Sequence, residues 1–411
     1  MNHPLQGTVN LPGSKSESNR VLMIAAYGGF PLEIDNLSCA HDTVLLQSLL
    51  RQVKYRVSDE PLMVNCEDAG SVARFMMTYL ACRPGTWLLT GTPRLCERPV
   101  APLIVALRQL GAEIECLGDE GLLPVRINGK ALEGGNVKLD TSLSSQFASS
   151  LLLAAPTWSQ GLNLELAGQM SSLPYIDMTV AIMRHFGAEV VRHDRCITVR
   201  HRSYQCVGFA VSADWSAASY WYEMLALNNG GNLLLKGLRI DSLQGDAVVA
   251  DLFKLLGVST EQVADGVCIS SKGSVNLFEK PLQFDFTETP DLFPSIFVSC
   301  VALHIRAEFF SLMTLYNKES DRVNSLISEL LKKYTFINII YDNKIVIDKS
   351  FLLDNEFNNR KIVFNTHQDH RIAMALAGLM PILCDISFDN PEVVNKSYPT
   401  FWKEVQNVFQ T

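Results

Sequence analysis

A repeated pattern of helix, glycine and strand most constrains the fold of this chain. Amphipathic helical segments end in Leu-Gly or Phe-Gly and continue directly into strand-like residues at Leu107–Ile114, Met183–Val191 and Leu252–Val258. Glycine is the usual residue just past the last helical turn, and the β-branched residues after it favour a strand. Weaker copies lie at 49–53 and 330–334. The spacing of roughly 70 residues exceeds the 20–50 residues of solenoid repeats, so the pattern predicts repeated α/β subdomains.

The length and composition of the chain predict a globular protein of two domains. Its 411 residues exceed the size at which a single hydrophobic core keeps growing. Hydrophobic residues make up 47% and charged residues 19%, a balance far from that of disordered chains. No linker rich in Pro, Gly or Ser divides the sequence, so composition does not locate the domain boundary.

The charge and the cysteines narrow the kinds of partner that we expect. A formal net charge of −8 argues against nucleic acid and anionic membranes, which need a basic protein surface. The N-terminal segment Met-Asn-His-Pro-Leu-Gln-Gly lacks the features of a secretory signal, and no apolar run reaches the ~20 residues of a membrane span. Ten cysteines without a CxxC pair indicate neither a zinc site nor a disulfide framework. We therefore expect a cytoplasmic protein without a metal.

Polar segments stand just before or inside the first turn of several predicted helices. These segments are 11–20, 69–74, 98–99, 144–146, 172–175 and 369–371. Helix N-termini carry unpaired N–H groups and the positive end of the helix dipole, so they can hold a phosphate or a carboxylate. Taken singly, such serines and aspartates are ordinary N-caps, and Arg20, Arg74 and Arg371 could be structural ion-pair residues. Several helix starts that also carry Lys or Arg indicate a small polyanionic ligand.

In their order along the chain, these segments resemble those of the 5-enolpyruvylshikimate-3-phosphate synthase family. The most specific are Pro12-Gly-Ser-Lys-Ser-Glu-Ser-Asn-Arg20, Lys318-Glu-Ser-Asp-Arg322 and Asp369-His-Arg371-Ile-Ala-Met374. The supporting segments are Ala69-Gly-Ser71 with Arg74, Glu97-Arg-Pro99, Ser144-Ser-Gln146, Ser172-Leu-Pro-Tyr-Ile176, Ala213-Asp-Trp-Ser-Ala-Ala-Ser-Tyr220, Pro290-Asp-Leu292 and Lys396-Ser-Tyr-Pro399. The resemblance covers essentially the whole chain.

The resemblance implies an α/β fold of the α+β type in two globular domains, each built from three repeated βαβαββ units. It implies a discontinuous domain of residues 1–13 and 215–411, an inserted domain of residues 14–214, and an active site in the interdomain cleft. The repeated pattern of helix, glycine and strand agrees with such units. The family needs neither a metal nor an organic cofactor, and we expect a monomer.

The family transfers the enolpyruvyl group of phosphoenolpyruvate to the 5-hydroxyl of shikimate 3-phosphate. By resemblance, the residues expected to bind shikimate 3-phosphate are Lys15, Ser16, Arg20, Ser144, Ser145, Gln146, Ser172, Tyr175, Asp291 and Lys318. The residues expected to bind phosphoenolpyruvate are Lys15, Gly70, Arg98, Gln146, Arg322, Arg371 and Lys396. His370 is a further candidate for the site.

The chemistry implied by the resemblance needs a base and an acid. The base takes the proton of the 5-hydroxyl while the acid protonates the enolpyruvyl methylene, and the tetrahedral intermediate then loses phosphate. Two carboxylates suit these roles when burial and neighbouring cations separate their pKa values. Asp291 is the predicted base, and Glu319 and Lys15 are the predicted proton donors. The surrounding cations would stabilise the charge that moves onto the departing phosphate.

Two rival functions stay open at the level of the sequence. Glu67 and Asp68 stand where the family usually carries a glycine and a polar neutral residue, and two carboxylates there would repel a bound anion. Together with Phe293, they motivate a non-catalytic relative that binds shikimate 3-phosphate.

The second rival is a UDP-N-acetylglucosamine enolpyruvyl transferase. Such an enzyme would be expected to carry a catalytic cysteine on a longer loop before its Arg-Pro, and an Asn after its N-terminal lysine. Here Cys96 directly precedes Glu97-Arg98-Pro99, and Ser16 follows Lys15. We therefore interpret Cys96 as incidental.

Overall fold

The chain divides into two compact units. The computed structural model describes residues 3–31, 33–57, 60–228, 230–273, 279–341, 343–352, 361–383 and 385–410. Residues 1–13 and 212–411 form one unit, here called the discontinuous unit, and residues 14–211 form the other, here called the inserted unit. The second boundary lies between Val211 and Ser212, three residues before the one that the resemblance implies.

The strands are short, as is usual for small sheets that pack on helices. In chain order they are β1 (Leu5–Asn10), β2 (Ile34–Asp35), β3 (Leu62–Asn65), β4 (Gly85–Thr90), β5 (Glu113–Cys116), β6 (Val125–Gly129), β7 (Gly135–Asp140), β8 (Leu162–Ala167), β9 (Val190–His193), β10 (Cys196–Val199), β11 (Phe209–Ala210), β12 (Gly231–Lys236), β13 (Val258–Val263), β14 (Gly266–Ser271), β15 (Leu282–Asp285), β16 (Ala307–Phe310), β17 (Tyr334–Tyr341), β18 (Lys344–Leu352), β19 (Ile362–Phe364) and β20 (Ile386–Phe388).

Helices alternate with these strands along the chain. They are α1 (Lys15–Gly28), α2 (His41–Lys54), α3 (Gly70–Ala81), α4 (Pro93–Cys96), α5 (Ala101–Gln109), α6 (Gln146–Ala154), α7 (Leu173–His185), α8 (Trp215–Leu227), α9 (Val249–Leu255), α10 (Phe293–Ala302), α11 (Arg322–Leu330), α12 (His370–Ala377) and α13 (Phe401–Gln410). Short 3₁₀ helices lie at Ala155–Thr157, Gly245–Val248, Pro290–Leu292, Met313–Leu315 and Pro391–Lys396.

Four sheets of four strands share one topology, which confirms the predicted repetition. Their strand orders are β3-β4-β6-β5 and β7-β8-β10-β9 in the inserted unit, and β1-β12-β14-β13 and β15-β16-β18-β17 in the discontinuous unit. In each sheet the first two strands are parallel and the other pairs are antiparallel. Parallel neighbours need a crossover, and a helix precedes the second strand in every case.

The first sheet of the discontinuous unit is interrupted by the whole inserted unit. Strand β1 pairs with β12, and the inserted unit and α8 lie between them in the chain. Each unit also has a smaller sheet of two parallel strands, β11-β2 in the inserted unit and β19-β20 in the discontinuous unit. Among the described residues, the third βαβαββ repeat of each unit is therefore reduced to two paired strands.

Glycines end the helices of the repeated pattern where the sequence predicts. Gly111, Gly187 and Gly257 follow α5, α7 and α9, and each has a positive φ of 84° to 91°. Glycine adopts this left-handed conformation without the steric penalty that a β-carbon brings, so the chain can turn directly into the next strand. The sequence predicts that Pro99 takes the first position of the helix that runs to Leu110, and the start of α5 differs from this prediction. Pro102, rather than Pro99, occupies the first helical turn, because residues 97–100 link α5 to the short helix α4.

The centre of each unit is formed by helices that are apolar on nearly all sides. In the inserted unit, α3 and α6 are almost wholly buried, and α1 and α7 pack against α6. In the discontinuous unit, α10 and α12 are buried along their whole length, α8 is buried except at Ser216, and the three helices pack together. Helices without a polar face belong inside a protein, which leaves the sheets with one outer face toward solvent. Across the described ranges, no helix is long and apolar enough to cross a membrane.

Candidate functional site

Three helix starts of the discontinuous unit bring arginines and carboxylates into one group, here called the arginine–carboxylate cluster. Its members are Asp291, Glu319, Arg322, Asp369 and Arg371. Asp291 lies just before α10, Arg322 begins α11, and Asp369 is the N-cap of α12. The buried helices pack against one another, so the side chains at their first turns converge.

Arg322 is the centre of this cluster. Its Nη1 lies 2.9 Å from Oδ1 of Asp291, its Nη2 lies 2.9 Å from Oε2 of Glu319, and its Nε lies 2.9 Å from Oδ2 of Asp369. The side chain is only 1% exposed. Burial alone would lower the pKa of Arg322, but the charges of the three carboxylates outweigh it and raise the pKa above its ordinary value. Arg322 is therefore a permanently charged guanidinium.

Asp291 bridges the two arginines. Its Oδ2 lies 2.7 Å from Nη2 of Arg371, and its Oδ1 lies 3.8 Å from Nζ of Lys318 as well as close to Arg322. Burial would raise the pKa of Asp291, yet the charges of Arg371, Lys318 and Arg322 hold that pKa well below its usual range. The carboxylate is ionised and can accept a proton, but its basicity is suppressed while both arginines hold it.

The remaining predicted residues of this unit lie on α12 or on the 3₁₀ helix that packs against it. His370 is buried beside Asp369, with 3.6 Å between Nδ1 and Oδ1. Lys396 is buried at the end of the 3₁₀ helix that packs on α12. Phe293, which stands next to this site in the sequence, points into the core and stacks on Phe297 with ring centroids 5.1 Å apart. Its ring therefore packs in the hydrophobic core of the discontinuous unit.

Two residues that sequence reasoning missed adjoin the cluster. The hydroxyl of Tyr220 accepts a hydrogen bond of 3.4 Å from Nη1 of Arg371. Asp246 accepts a hydrogen bond from Ser216, and burial together with the charge of Asp291 raises its pKa to about 6. Tyr220 ends a segment that the resemblance includes, but nothing in the local sequence around Asp246 marks it.

A second group lies in the inserted unit around Arg20. Its Nε donates to Thr179 Oγ1 at 2.7 Å, its Nη1 to the carbonyl of Ser16 at 2.8 Å, and its Nη2 to the carbonyl of Tyr175 at 3.0 Å. The Nη2 group also donates to Ser149 Oγ at 3.3 Å. Burial lowers the pKa of Arg20 to about 10. Arg20 thus joins the first turns of α1 and α7 and remains a cation at neutral pH.

Hydroxyl and amide groups surround the starts of α6 and α7. Ser172, the N-cap of α7, has a left-handed backbone with φ 56° and ψ 38°, a strained conformation for a residue with a β-carbon. Ser144 accepts a hydrogen bond from the backbone N–H of Gln146 at 3.2 Å, and Ser145 is the N-cap residue of α6. Gln146 Oε1 and Ser171 Oγ are buried and have no hydrogen-bond partner among the described residues. Buried polar atoms are rarely left unsatisfied, so these two atoms are suited to a ligand.

Lys15 is the first residue of α1, and its ammonium is held by a buried carboxylate. Nζ lies 3.0 Å from Oδ2 of Asp42 on α2. Asp42 did not stand out in the sequence, because it lies in the first turn of an ordinary amphipathic helix.

Gly70 begins α3 between two arginines. A β-carbon at Gly70 would lie 2.7 Å from Nη1 of Arg74 and 2.7 Å from Nη1 of Arg98. Arg74 donates from Nη1 to the carbonyl of Gly70 at 2.8 Å. Arg74 and Arg98 are both buried, so the missing side chain of Gly70 makes room for two guanidinium groups at one helix start.

Glu67 and Cys96, the two residues discussed with the rival functions, each have a partner nearby in the structure. Glu67 Oε2 lies 2.7 Å from Nε2 of His41, so the carboxylate is turned toward an imidazole. Cys96 ends α4, and its thiol lies 3.6 Å from the carbonyl oxygen of Gly91, to which it can donate. Over the described part of the chain, no group of three or more His, Cys, Asp or Glu side chains is arranged to hold a metal ion.

The fold and the two groups of charged residues define a class of protein, namely two-unit α/β proteins that bind small anions. Each unit is a repeated α/β structure that gathers cations and helix N-termini, an arrangement suited to small phosphorylated and carboxylated molecules.

Comparisons with known proteins narrow this class to one family. A family model described as EPSP synthase (3-phosphoshikimate 1-carboxyvinyltransferase) matches residues 1–405. A 3-phosphoshikimate 1-carboxyvinyltransferase of Bacteroides fragilis (strain YCH46) is 37% identical over 405 residues, covering 98% of this chain and 95% of that protein. A protein of the same name from Sulfurovum sp. (strain NBC37-1) is 32% identical, covering 98% and 97%. The chain belongs to the EPSP synthase family.

Solved structures agree with the fold. An EPSP synthase from Acinetobacter baumannii has a TM-score of 0.75 at 21% identity, covering 99% of this chain and 96% of that one. The enolpyruvyl transferase NikO from Streptomyces tendae has a TM-score of 0.71 at 13% identity, covering 99% and 95%. The two-domain enolpyruvyl transferase fold implied by the sequence is thereby confirmed.

Proposed function

We propose that this protein transfers the enolpyruvyl group of phosphoenolpyruvate to the 5-hydroxyl of shikimate 3-phosphate and releases phosphate. Family membership over residues 1–405 supports the reaction class. The single observation that carries the proposal at the level of residues is the position of Asp291. This predicted base contacts Arg322 and Arg371, two cations predicted to bind phosphoenolpyruvate, within one buried cluster.

The proposed roles of the other residues follow the two groups. In the inserted unit, the hydroxyl groups at the starts of α6 and α7, with Lys15, Ser16, Arg20 and Gln146, bind shikimate 3-phosphate. Gly70 and Arg98 contribute to phosphoenolpyruvate binding. In the discontinuous unit, Lys318 assists with shikimate 3-phosphate, and Lys396 assists with phosphoenolpyruvate. We propose that both units act on the same pair of substrates, as the two domains of one enzyme.

The proposed chemistry is an addition followed by an elimination. Asp291 takes the proton from the 5-hydroxyl, and the hydroxyl oxygen bonds to C2 of phosphoenolpyruvate while Glu319 or Lys15 protonates C3. In the second step the C2–O bond to phosphate breaks and the departing phosphate takes the proton held by Asp291. The methyl group returns a proton to the group that donated it, Glu319 or Lys15, which regenerates the double bond. The arginines stabilise charge on the departing phosphate, because fixed cations in a buried site need no reorganisation during the reaction.

The rival functions have less support. The contact between Glu67 and His41 gives one of the two unusual carboxylates a local partner, which weakens the argument for a binding-only relative. No observation favours UDP-N-acetylglucosamine as the acceptor. We further propose, in line with the resemblance, that the protein works as a monomer in the cytoplasm.

A two-substrate assay of phosphate release tests the proposal. Phosphate is expected only when shikimate 3-phosphate and phosphoenolpyruvate are supplied together, and Lys15→Met and Asp291→Ala are expected to abolish it. Lys130→Met is the matched control, since Lys130 is an exposed lysine paired with Glu113. Release with UDP-N-acetylglucosamine instead, or binding of shikimate 3-phosphate without turnover, would refute the assignment.

A further inference from the structure

The donors of Arg322 are nearly all engaged by carboxylates of the protein itself. A guanidinium has five N–H donors. Asp369 takes Nε at 2.9 Å and one Nη2 donor at 3.5 Å, Glu319 takes the other Nη2 donor at 2.9 Å, and Asp291 takes one Nη1 donor at 2.9 Å. Four of the five donors are thus in contacts among the described residues, and one Nη1 donor remains for a ligand.

The charges of the cluster balance when Lys318, whose Nζ lies 3.8 Å from Oδ1 of Asp291, is counted with it. Three cations, Arg322, Arg371 and Lys318, stand against three carboxylates, Asp291, Glu319 and Asp369. Such a balanced group offers little net attraction to a ligand that carries a phosphate and a carboxylate. To bind it strongly, the arginines must exchange some of their protein partners for the ligand.

The three carboxylates that contact Arg322 differ in burial, and this difference indicates which of them an anionic ligand can replace. Asp369 is 0% exposed, caps α12 through the backbone N–H of Arg371, and also accepts from Ser320. Asp291 and Glu319 are 19% and 12% exposed, at the accessible side of the cluster. Asp369 is therefore the permanent partner of Arg322, and Asp291 and Glu319 are its exchangeable partners.

We propose that an anionic ligand binds to the discontinuous unit by displacing Asp291 from Arg322 and Arg371. This inference rests on the proposed function for the identity of the ligand, phosphoenolpyruvate. Oδ1 of Asp291 accepts from Arg322, and Oδ2 accepts from Arg371. The phosphate or the carboxylate of phosphoenolpyruvate needs these same N–H donors. Binding of the ligand thus releases Asp291 toward the second substrate.

The exchange makes the predicted base conditional on the presence of the first anion. While Arg371, Lys318 and Arg322 hold Asp291, its pKa stays far below the usual range, and a carboxylate in that state removes a hydroxyl proton poorly. Once a phosphate or carboxylate neutralises the arginines, that constraint is lifted and the basicity of Asp291 rises. The free enzyme would hold its base in an inactive ion pair, and one substrate would prepare the base for the other.

Binding measurements on the full chain test the exchange. Inorganic phosphate and phosphoenolpyruvate are titrated separately into the parent and into Asp291→Asn, without shikimate 3-phosphate, by isothermal calorimetry. Because the asparagine no longer competes as an anion, we expect Kd for both probes to fall about tenfold, which corresponds to about 1.4 kcal/mol. Asp241→Asn is the control, since it removes a carboxylate from an exposed arginine pair of the same unit, and its Kd should match the parent. An Asp291→Asn protein that binds either probe no more tightly than the parent overturns the proposal.

Two further measurements keep the test decisive if Asp291→Asn folds poorly. Glu319→Gln removes the other exchangeable partner, so it should also lower Kd for phosphate, by about threefold or more, and an unchanged Kd counts against the exchange. In a crystal structure with phosphoenolpyruvate bound, Asp291 Oδ2 should lie beyond 3.5 Å from Arg371 Nη2, compared with 2.7 Å here. A retained contact at both arginines would overturn the displacement directly.

The exchange and the proposed function fail in different ways. If the parent releases phosphate from its two substrates but Asp291→Asn shows no gain in anion affinity, only the exchange is wrong. If the parent lacks turnover and Asp291→Asn nevertheless binds both probes more tightly, the exchange holds for anions and the proposed reaction is wrong.

Discussion

The ammonium of Lys15 is held by Asp42, with 3.0 Å between Nζ and Oδ2 and with the carboxylate only 2% exposed. The pair joins the first turn of α1 to the first turn of α2. A buried carboxylate fixes the position of a flexible lysine, which a surface partner cannot do. Asp42 is thus a positioning residue for the cation predicted to contact both substrates.

Substituting Asp42 by Asn should reduce kcat/KM for phosphate release about 10- to 100-fold, because a displaced catalytic group costs that much in rate. The fold should survive, since Asn keeps the size of the side chain. Steady-state phosphate release with both substrates measures the effect. Glu113→Gln, which removes the exposed partner of Lys130, should leave the rate unchanged. Activity of the Asp42 variant within twofold of the parent would refute the positioning role.

Substituting Gly70 by Ala should weaken phosphoenolpyruvate binding selectively. The added methyl group would lie 2.7 Å from the guanidinium groups of both Arg74 and Arg98, so one or both must move. We expect KM for phosphoenolpyruvate to rise about tenfold or more, because a displaced guanidinium group binds the anion less well. KM for shikimate 3-phosphate should stay within about twofold of the parent value. Gly118→Ala is the matched control, because a β-carbon there meets open space. Equal changes in both KM values would contradict this prediction.

Glu223 predicts a specific dependence of stability on pH. Its side chain is completely buried on α8 beside Gly378, and neither carboxylate oxygen has a hydrogen-bond partner among the described residues. Burial raises the pKa of Glu223 well above its ordinary 4.5. Between the pKa of the unfolded chain and that of the folded protein, Glu223 keeps its proton only in the folded protein. The stability contributed by the protonated side chain is therefore complete below about pH 4.5, and it is lost as pH rises toward the pKa of Glu223 in the folded protein.

Urea unfolding of the parent and of Glu223→Gln between pH 4.5 and 7 measures this effect. Relative to the glutamine variant, the parent should lose about 1.4 kcal/mol of unfolding free energy per pH unit within the window. Glu261→Gln, an exposed change on β13, should track the parent at every pH. A constant difference between the parent and Glu223→Gln across the window would show that Glu223 does not titrate as its burial requires.

Substituting Asp369 by Asn should destabilise the discontinuous unit strongly. Asn still caps α12, so the change isolates the loss of a buried charge beside Arg322, which is 1% exposed. Arg322 keeps Asp291 and Glu319 as partners, so denaturant unfolding should show the loss of hydrogen bonds to a charged group, about 1.5–3 kcal/mol. The exposed change Asp241→Asn should stay within about 0.5 kcal/mol. A loss below about 1 kcal/mol for the Asp369 variant would mean that Asp369 is not the permanent partner of Arg322.

The sequence by itself determined the repeated architecture and the positions of most helix starts. Glycine after an amphipathic segment and β-branched residues after the glycine are local signals, so β5, β9 and β13 follow Gly111, Gly187 and Gly257 as predicted. The motifs also identified the family, which the comparisons confirm. The assignment of individual residues to the two substrates stays a prediction, because it rests on resemblance alone.

Only the tertiary structure decided which charges neutralise one another. Asp291, Arg322 and Asp369 are 31 to 78 positions apart in the chain, and they meet because α10, α11 and α12 pack together. Asp42 carries no local signal of its position beside Lys15, since a carboxylate in a first turn looks the same whether it caps a helix or holds a cation. Electrostatic pairing depends on distances in space and on burial, and neither quantity is written in the local sequence.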